Sequence, residues 1–189
     1  MRNLMIAVLL FFAVSAISAQ NERTHAMRVN IGMNANVPTA SGVDVKAKGG
    51  FRLDLGREYF VNPNARLDLY MASSLAYSYE RFEVGSGYNT MTTRHKLIVP
   101  VGIGLRLNIT NKIGVFLEAG PNASFVFARK SNFETRRLLF GGHSNLGVNI
   151  GAFSAMLGTE IAGGSKDITL PGGKGLTDRT AYFTLGMRF

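Results

Sequence analysis

Between Met27 and Phe189, eight segments place apolar residues at every second position, with Gly, Asn, Ser and single charges between them. Successive strand side chains point to opposite faces, whereas a helix repeats near 3.6, so this spacing constrains the fold more than any other feature. The first three segments are Met27, Val29, Ile31, Met33 and Ala35; Phe51, Leu53 and Leu55; and Leu67, Leu69 and Met71. The fourth covers 97–107, and Leu117, Ala119, Ala123, Phe125 and Phe127 mark the fifth. Leu146, Val148 and Ile150, then Ala155, Leu157, Thr159 and Ile161, then Phe183, Leu185, Met187 and Phe189 complete the set. Short turns at Asn62-Pro63-Asn64, at Thr110-Asn111-Lys112 and near Gly151-Ala152 alternate with long polar loops at 38–49, 81–95, 130–137 and 163–180. Short turns on one side and long loops on the other describe an outer-membrane barrel. The expected fold is all-β, an eight-stranded antiparallel up-and-down transmembrane β-barrel over residues 26–189. Pro100 and Pro121 fall inside strand patterns, where each must remove a ladder hydrogen bond or mark a bulge.

The first residues read as an address. Arg2 precedes an unbroken apolar run at 4–14, and the small residues Ser15, Ala16, Ser18 and Ala19 follow. This is the layout of a secretory signal peptide. The run is too short for a transmembrane helix, which needs about 20 apolar residues. Residues 1–19 are the expected signal peptide, with cleavage after Ala19 and alternatives after Ala16 or Ser18, and 20–25 form a short lead. The 189-residue chain lacks cysteine, which excludes disulfide staples and thiol nucleophiles. With 17% charged and 46% hydrophobic residues it is no disordered chain.

Alternation alone does not say which face is buried. A soluble eight-stranded barrel would hide the apolar set and wear a Lys/Glu-rich coat. Here the polar set is sparse, and its charges nearly balance: Arg28, Arg52, Arg66, Lys96, Arg106 and Arg188 against Asp54, Asp68, Glu80, Glu118 and Glu160. Such balance suits an enclosed lumen, where an unpaired charge is costly. An eight-stranded barrel leaves an interior that side chains just fill. Arg52, Asp54, Arg66, Asp68, Arg106, Glu118 and Glu160 are therefore expected to form a lumen ionic network, with lumen-facing glycines leaving room for the long chains. Structural filling is the expected role of these charges, and a conduction path the alternative.

The final segment places Phe183, Leu185, Met187 and Phe189 at alternate positions up to the terminus. It resembles the C-terminal assembly signal of bacterial outer-membrane barrels, which implies contact with the barrel-insertion machinery. The resemblance extends inward. Leu97-Ile98-Val99-Pro100-Val101, followed by Leu105-Arg106-Leu107, is similar to the fourth strand of the PorT-like outer-membrane β-barrel family, a set of small barrels akin to the OmpX and OmpA types. Phe116-Leu117-Glu118-Ala119-Gly120-Pro121 resembles that family's fifth strand. The resemblance implies a Gram-negative cell envelope, residence in the outer membrane, and a role as accessory component of a protein secretion system.

Little in the sequence suggests catalysis or a cofactor. His25, His95 and His143 share no metal-binding spacing, and no phosphate loop or nucleophile elbow is present. A lipid A-modifying enzyme would pair a His with a Ser, and His143-Ser144 is the only adjacent pair. Neighbours on a strand face opposite ways, His143 into the lumen and Ser144 toward lipid. The better hint is basic. Arg129, Lys130, Arg136 and Arg137 cluster at the third long loop, as candidate contacts for lipopolysaccharide phosphates. Tyr77, Tyr79, Phe82, Phe127 and Phe140 are candidates for the outer aromatic girdle. The expected function is a non-enzymatic outer-membrane barrel with a structural or surface-interaction role. No cofactor and no nucleic-acid partner is expected. The expected partners are outer-membrane lipid and lipopolysaccharide, with a secretion or envelope protein as a candidate.

Overall fold

The computed structural model describes residues 24–40, 42–63, 65–85, 90–130, 133–164, 167–170 and 173–189; the leader at 1–19 lies outside them. Eight long strands form the frame: β1 (His25–Asn36), β2 (Val45–Phe60), β3 (Leu67–Val84), β4 (Thr90–Asn108), β5 (Ile113–Lys130), β6 (Leu138–Ile150), β7 (Phe153–Ala162) and β8 (Arg179–Arg188). Each pairs antiparallel with its neighbours in sequence, and β1 pairs with β8 to close the barrel. Closure is continuous from Arg28↔Arg188 to Asn36↔Thr180, with reciprocal backbone bonds of 2.9 Å between Met27 and Phe189 beyond it. No helix occurs among the described residues. Three two-residue strands, Glu134–Thr135, Ile168–Thr169 and Gly175–Leu176, form a small sheet over one end.

The three expected short turns join β2–β3, β4–β5 and β6–β7, so the turns and both barrel termini share one end. The long loops differ from expectation. The stretch 81–95 is mostly strand: β3 runs to Val84 and β4 begins at Thr90. β2 starts at Val45, and β8 takes in Arg179 and Thr180. The apolar contrast fades near these strand ends, but the backbone ladder does not need it and runs on. The prolines remove rungs without shifting the ladder. β3–β4 pairing skips from Ser73↔Val101 to Ala76↔Ile98 around Pro100, and β4–β5 pairing from Pro100↔Asn122 to Ile103↔Ala119 beside Pro121, each resuming in the same register. The true irregularities lie elsewhere, between Lys48 and Phe51 and between His95 and Lys96.

Burial is inverted relative to a soluble barrel. Met33, Ile103 and Phe140 are 69%, 62% and 65% exposed, and each of the eight long strands presents such residues outward. Arg52, Arg94 and Lys96, meanwhile, are among the largest fully buried side chains. A soluble monomer rarely exposes an apolar patch above a few hundred Å². A continuous apolar belt is what a hydrocarbon surround stabilises. Inside, glycines face aromatics across the ladder: Gly104 opposite Tyr70, Gly147 opposite Phe116, Gly158 opposite Tyr182. A Cβ on any of the three would run into the facing ring, so these glycines make the space that the rings fill.

Candidate functional site

The inward phase of the strands stacks charged groups in three layers. Nearest the turns, Glu58 on β2 sits among three guanidiniums: Arg106 at 2.7 Å, Arg188 at 2.9 Å and Arg28 at 3.3 Å. Arg28 also reaches Glu118 on β5 at 3.1 Å, and Asn145 donates to the same carboxylate at 2.9 Å. The middle layer joins Arg52 to Glu160 at 2.7 Å and to Asp54 at 3.5 Å, while Ser74 donates to Asp54 at 3.0 Å. The Arg52 guanidinium lies 4.1 Å over the Tyr182 ring.

The third layer, nearest the loops, is a closed quartet. Glu80 reaches Arg94 at 2.7 Å and Lys96 at 2.6 Å. Asp178 reaches the same two cations at 2.6 Å and 3.1 Å. Each carboxylate bridges both cations, so the formal charges cancel. Asp178 belongs to the β7–β8 connection, and Asn36 on β1 donates to it at 2.7 Å. Burial alone would raise its carboxyl, but Arg94 and Lys96 hold it well below the usual carboxylate range. Its backbone N–H donates to Asp167 at 3.1 Å. Burial pushes the Asp167 carboxyl up, and among the described residues no cation comes within ion-pair distance of it. Above the quartet, Phe82, Val84, Phe133, Ile168, Leu170 and Leu176 form an apolar cluster under the small sheet.

The expected network is thus partly assembled. Arg52, Asp54 and Glu160 meet in one layer, and Arg106 and Glu118 share the turn-end layer through Glu58 and Arg28. Asp68 is buried opposite Arg106 in the ladder. Arg66 departs from expectation: it precedes β3 in the turn, is exposed, and joins no ion pair among the described residues. Its parity is that of the lumen, but the strand ends before the parity can act. Glu58, Arg94 and Asp178 were absent from the expected set. Glu58 continues the even-numbered series Arg52, Asp54, Gly56, and Arg94 the series with Lys96. Asp178 sits in a connection with no periodicity to reveal it.

Arg129, Arg136 and Arg137 are exposed at the loop end, and Arg129 donates to the Thr135 carbonyl at 2.9 Å. Lys130 ends β5, and its side chain lies outside the described residues. Of the aromatic candidates, Phe127 and Phe140 face outward, and Tyr77 and Tyr79 are half-buried on the outer face. Phe51, Tyr77, Tyr79, His95 and Phe127 form one patch, with ring centroids 5.1–6.2 Å apart and Tyr77 Oη 2.7 Å from His95 Nδ1. Phe82 does not join it. It has lumen parity and is fully buried in the apolar cluster, with Arg94 5.2 Å from its ring centre. His143 faces the lumen 3.4 Å from Glu118, while Ser144 faces outward 3.1 Å from Thr159. Phe183, Leu185 and Met187 face outward on β8, and Phe189 is half-buried at the rim. No cluster of metal-ligating residues occurs among the described residues.

The fold recurs in solved structures. OprG from Pseudomonas aeruginosa, an outer membrane protein, matches with a TM-score of 0.56 at 10% identity, covering 89% of this chain and 97% of that one. The attachment invasion locus protein Ail of Yersinia pestis aligns at 14% identity over 88% of this chain and all of its own, with a TM-score of 0.49. No curated protein matches in sequence. The family model for the outer membrane protein beta-barrel domain matches residues 4–189. With its closed eight-stranded frame and apolar outer belt, this chain belongs to that outer-membrane β-barrel family.

Proposed function

We propose that this protein is a non-enzymatic surface barrel whose lumen is filled by side chains and whose loop end contacts lipopolysaccharide. The observation that carries the reading is the layered pairing of buried charges beneath an apolar cluster. Arg28, Arg52, Arg94, Lys96 and Arg106, which could otherwise line an ion path, are each held in an ion pair. The basic groups left facing solvent include Arg129, Arg136 and Arg137 at the loop end, beside the outward Phe127 and Phe140. Guanidiniums above an apolar girdle suit phosphates above acyl chains. The opposite directions of His143 and Ser144 weigh against a lipid-modifying enzyme. Residues 1–19 serve as the export signal, and Phe183, Leu185, Met187 and Phe189 as the strand read during insertion.

The test is lipopolysaccharide binding by the full barrel in nanodiscs, wild type against an Arg129→Ser, Arg136→Ser, Arg137→Ser variant. At about 1 kcal/mol per arginine near an anionic surface, affinity falls on the order of a hundredfold. Unchanged affinity overturns the reading. A second reading, accessory to a secretion system, is favoured by the PorT-like segments at 97–107 and 116–121. Cross-linking in intact cells separates the two: stoichiometric recovery of secretion components supports the accessory role, and recovery of lipopolysaccharide alone sinks it.

A further inference from the structure

The turn end differs from the rest of the interior. There the barrel opens on a vestibule of about 540 Å³, lined by Arg66, Asp68, Arg106, Asn108, Asn111 and Arg188 among others. That volume lies within the roughly 300–1,000 Å³ of ordinary ligand sites. Three guanidiniums line it against the single carboxylate of Asp68. Arg106 and Arg188 both lie over the Phe60 ring, at 4.6 Å and 4.7 Å, so the ring supports both from one side. The carboxylate behind them, Glu58, is already shared with Arg28. Arg66 faces the vestibule from the turn, and Asn108 pins that turn by donating to the Ala65 carbonyl at 2.7 Å. Preorganised planar forks are the chemistry that recognises an oxyanion. Asp68 and the two asparagines add acceptors for hydroxyl donors.

We infer that this vestibule binds a small oxyanion, a phosphate or a carboxylate on a hydroxylated body, taken from the side of the membrane that the turns face. The inference is independent of the lipopolysaccharide reading, which concerns the opposite end. The experiment uses the full chain in nanodiscs of zwitterionic lipid, titrated separately with inorganic phosphate and with gluconate. Arginine side-chain NMR signals are the readout. Saturable shifts at Arg66, Arg106 and Arg188 with either probe support the site, and the probe that saturates assigns the oxyanion. Losing one charged hydrogen-bond donor weakens binding about tenfold, so Arg66→Gln is expected to do so. Arg66 is exposed, so the strand amide spectrum of this variant stays that of the wild type. Arg179→Gln removes the same charge at the loop end, where Arg179 is exposed, and leaves affinity unchanged. Shifts that grow linearly with probe, or equal weakening by both variants, overturn the proposal.

Discussion

The two ends of this barrel are built from the same residue types and arranged to opposite effect. At the loop end, two carboxylates and two cations form a closed square, and an apolar cluster lies over it. At the turn end, three arginines converge on Glu58, with Arg28 also reaching Glu118, and the vestibule beyond is polar and open. Buried ions stabilise only when every partner is present. The loop end balances its two cations by recruiting Asp178 from the β7–β8 connection. The turn end instead sets Arg66, Asp68, Arg106 and Arg188 along a vestibule open to water. The difference teaches where each end can respond: the loop end through loss of a partner, the turn end through gain of a ligand.

The strongest way to break this contrast is Asp178→Ala. Arg94 and Lys96 would then share Glu80 alone, and one buried charge would lack its counterpart. Breaking a buried pair from one side costs about 3–5 kcal/mol, read as a lowered denaturant midpoint for the folded barrel. Because Asp178 ties the connection to β1 and β4, the same variant is expected to gain protease cleavage within 163–178. The pH dependence follows from the sign. The Asp178 carboxyl is held low, so its contribution is present above the ordinary carboxylate range near pH 4 and is lost only as pH falls through its lower folded value.

Next in size is Gly104→Val. The new side chain would meet the Tyr70 ring across the ladder, with overpacking of about 1–3 kcal/mol. Restoring room by Tyr70→Ala in the same chain is expected to recover part of that loss, which a double-mutant cycle measures. Smallest is Asp167→Asn. Asp167 is pushed up by burial, so its charged form opposes folding at neutral pH. The amide oxygen can still accept from the Asp178 N–H. The variant is therefore expected to be slightly more stable at pH 7. The gap should close as pH falls through the raised folded value and both side chains become neutral. Asp178 and Asp167, in one connection, thus respond to acid with opposite sign.

Much of the frame was legible because the period-two pattern runs through backbone geometry and burial together. Ile31, Leu53, Leu105 and Leu185 face outward, while Arg52, Asp54, Glu118 and Glu160 face inward, as their parity requires. Strand ends were less legible. On β3 the outward residues pass from Leu75 to Tyr77, Tyr79 and Arg81, so the apolar contrast fades while the ladder continues to Val84. That is why Arg94 and Phe82 read as loop and girdle residues instead of lumen ones. The hydrogen-bond ladder outlasts the apolar contrast, and hydropathy reports only the contrast. Asp178 was illegible for another reason: its partners lie 82 and 84 residues away, and only the closed barrel brings them together.

The central claim is that the loop-end quartet and its apolar cover leave no path for ions. Planar-bilayer recording of the purified full chain tests this most directly. The account predicts that wild-type barrels insert without steady conductance steps at any polarity. Reproducible ohmic steps from the wild-type protein would contradict it.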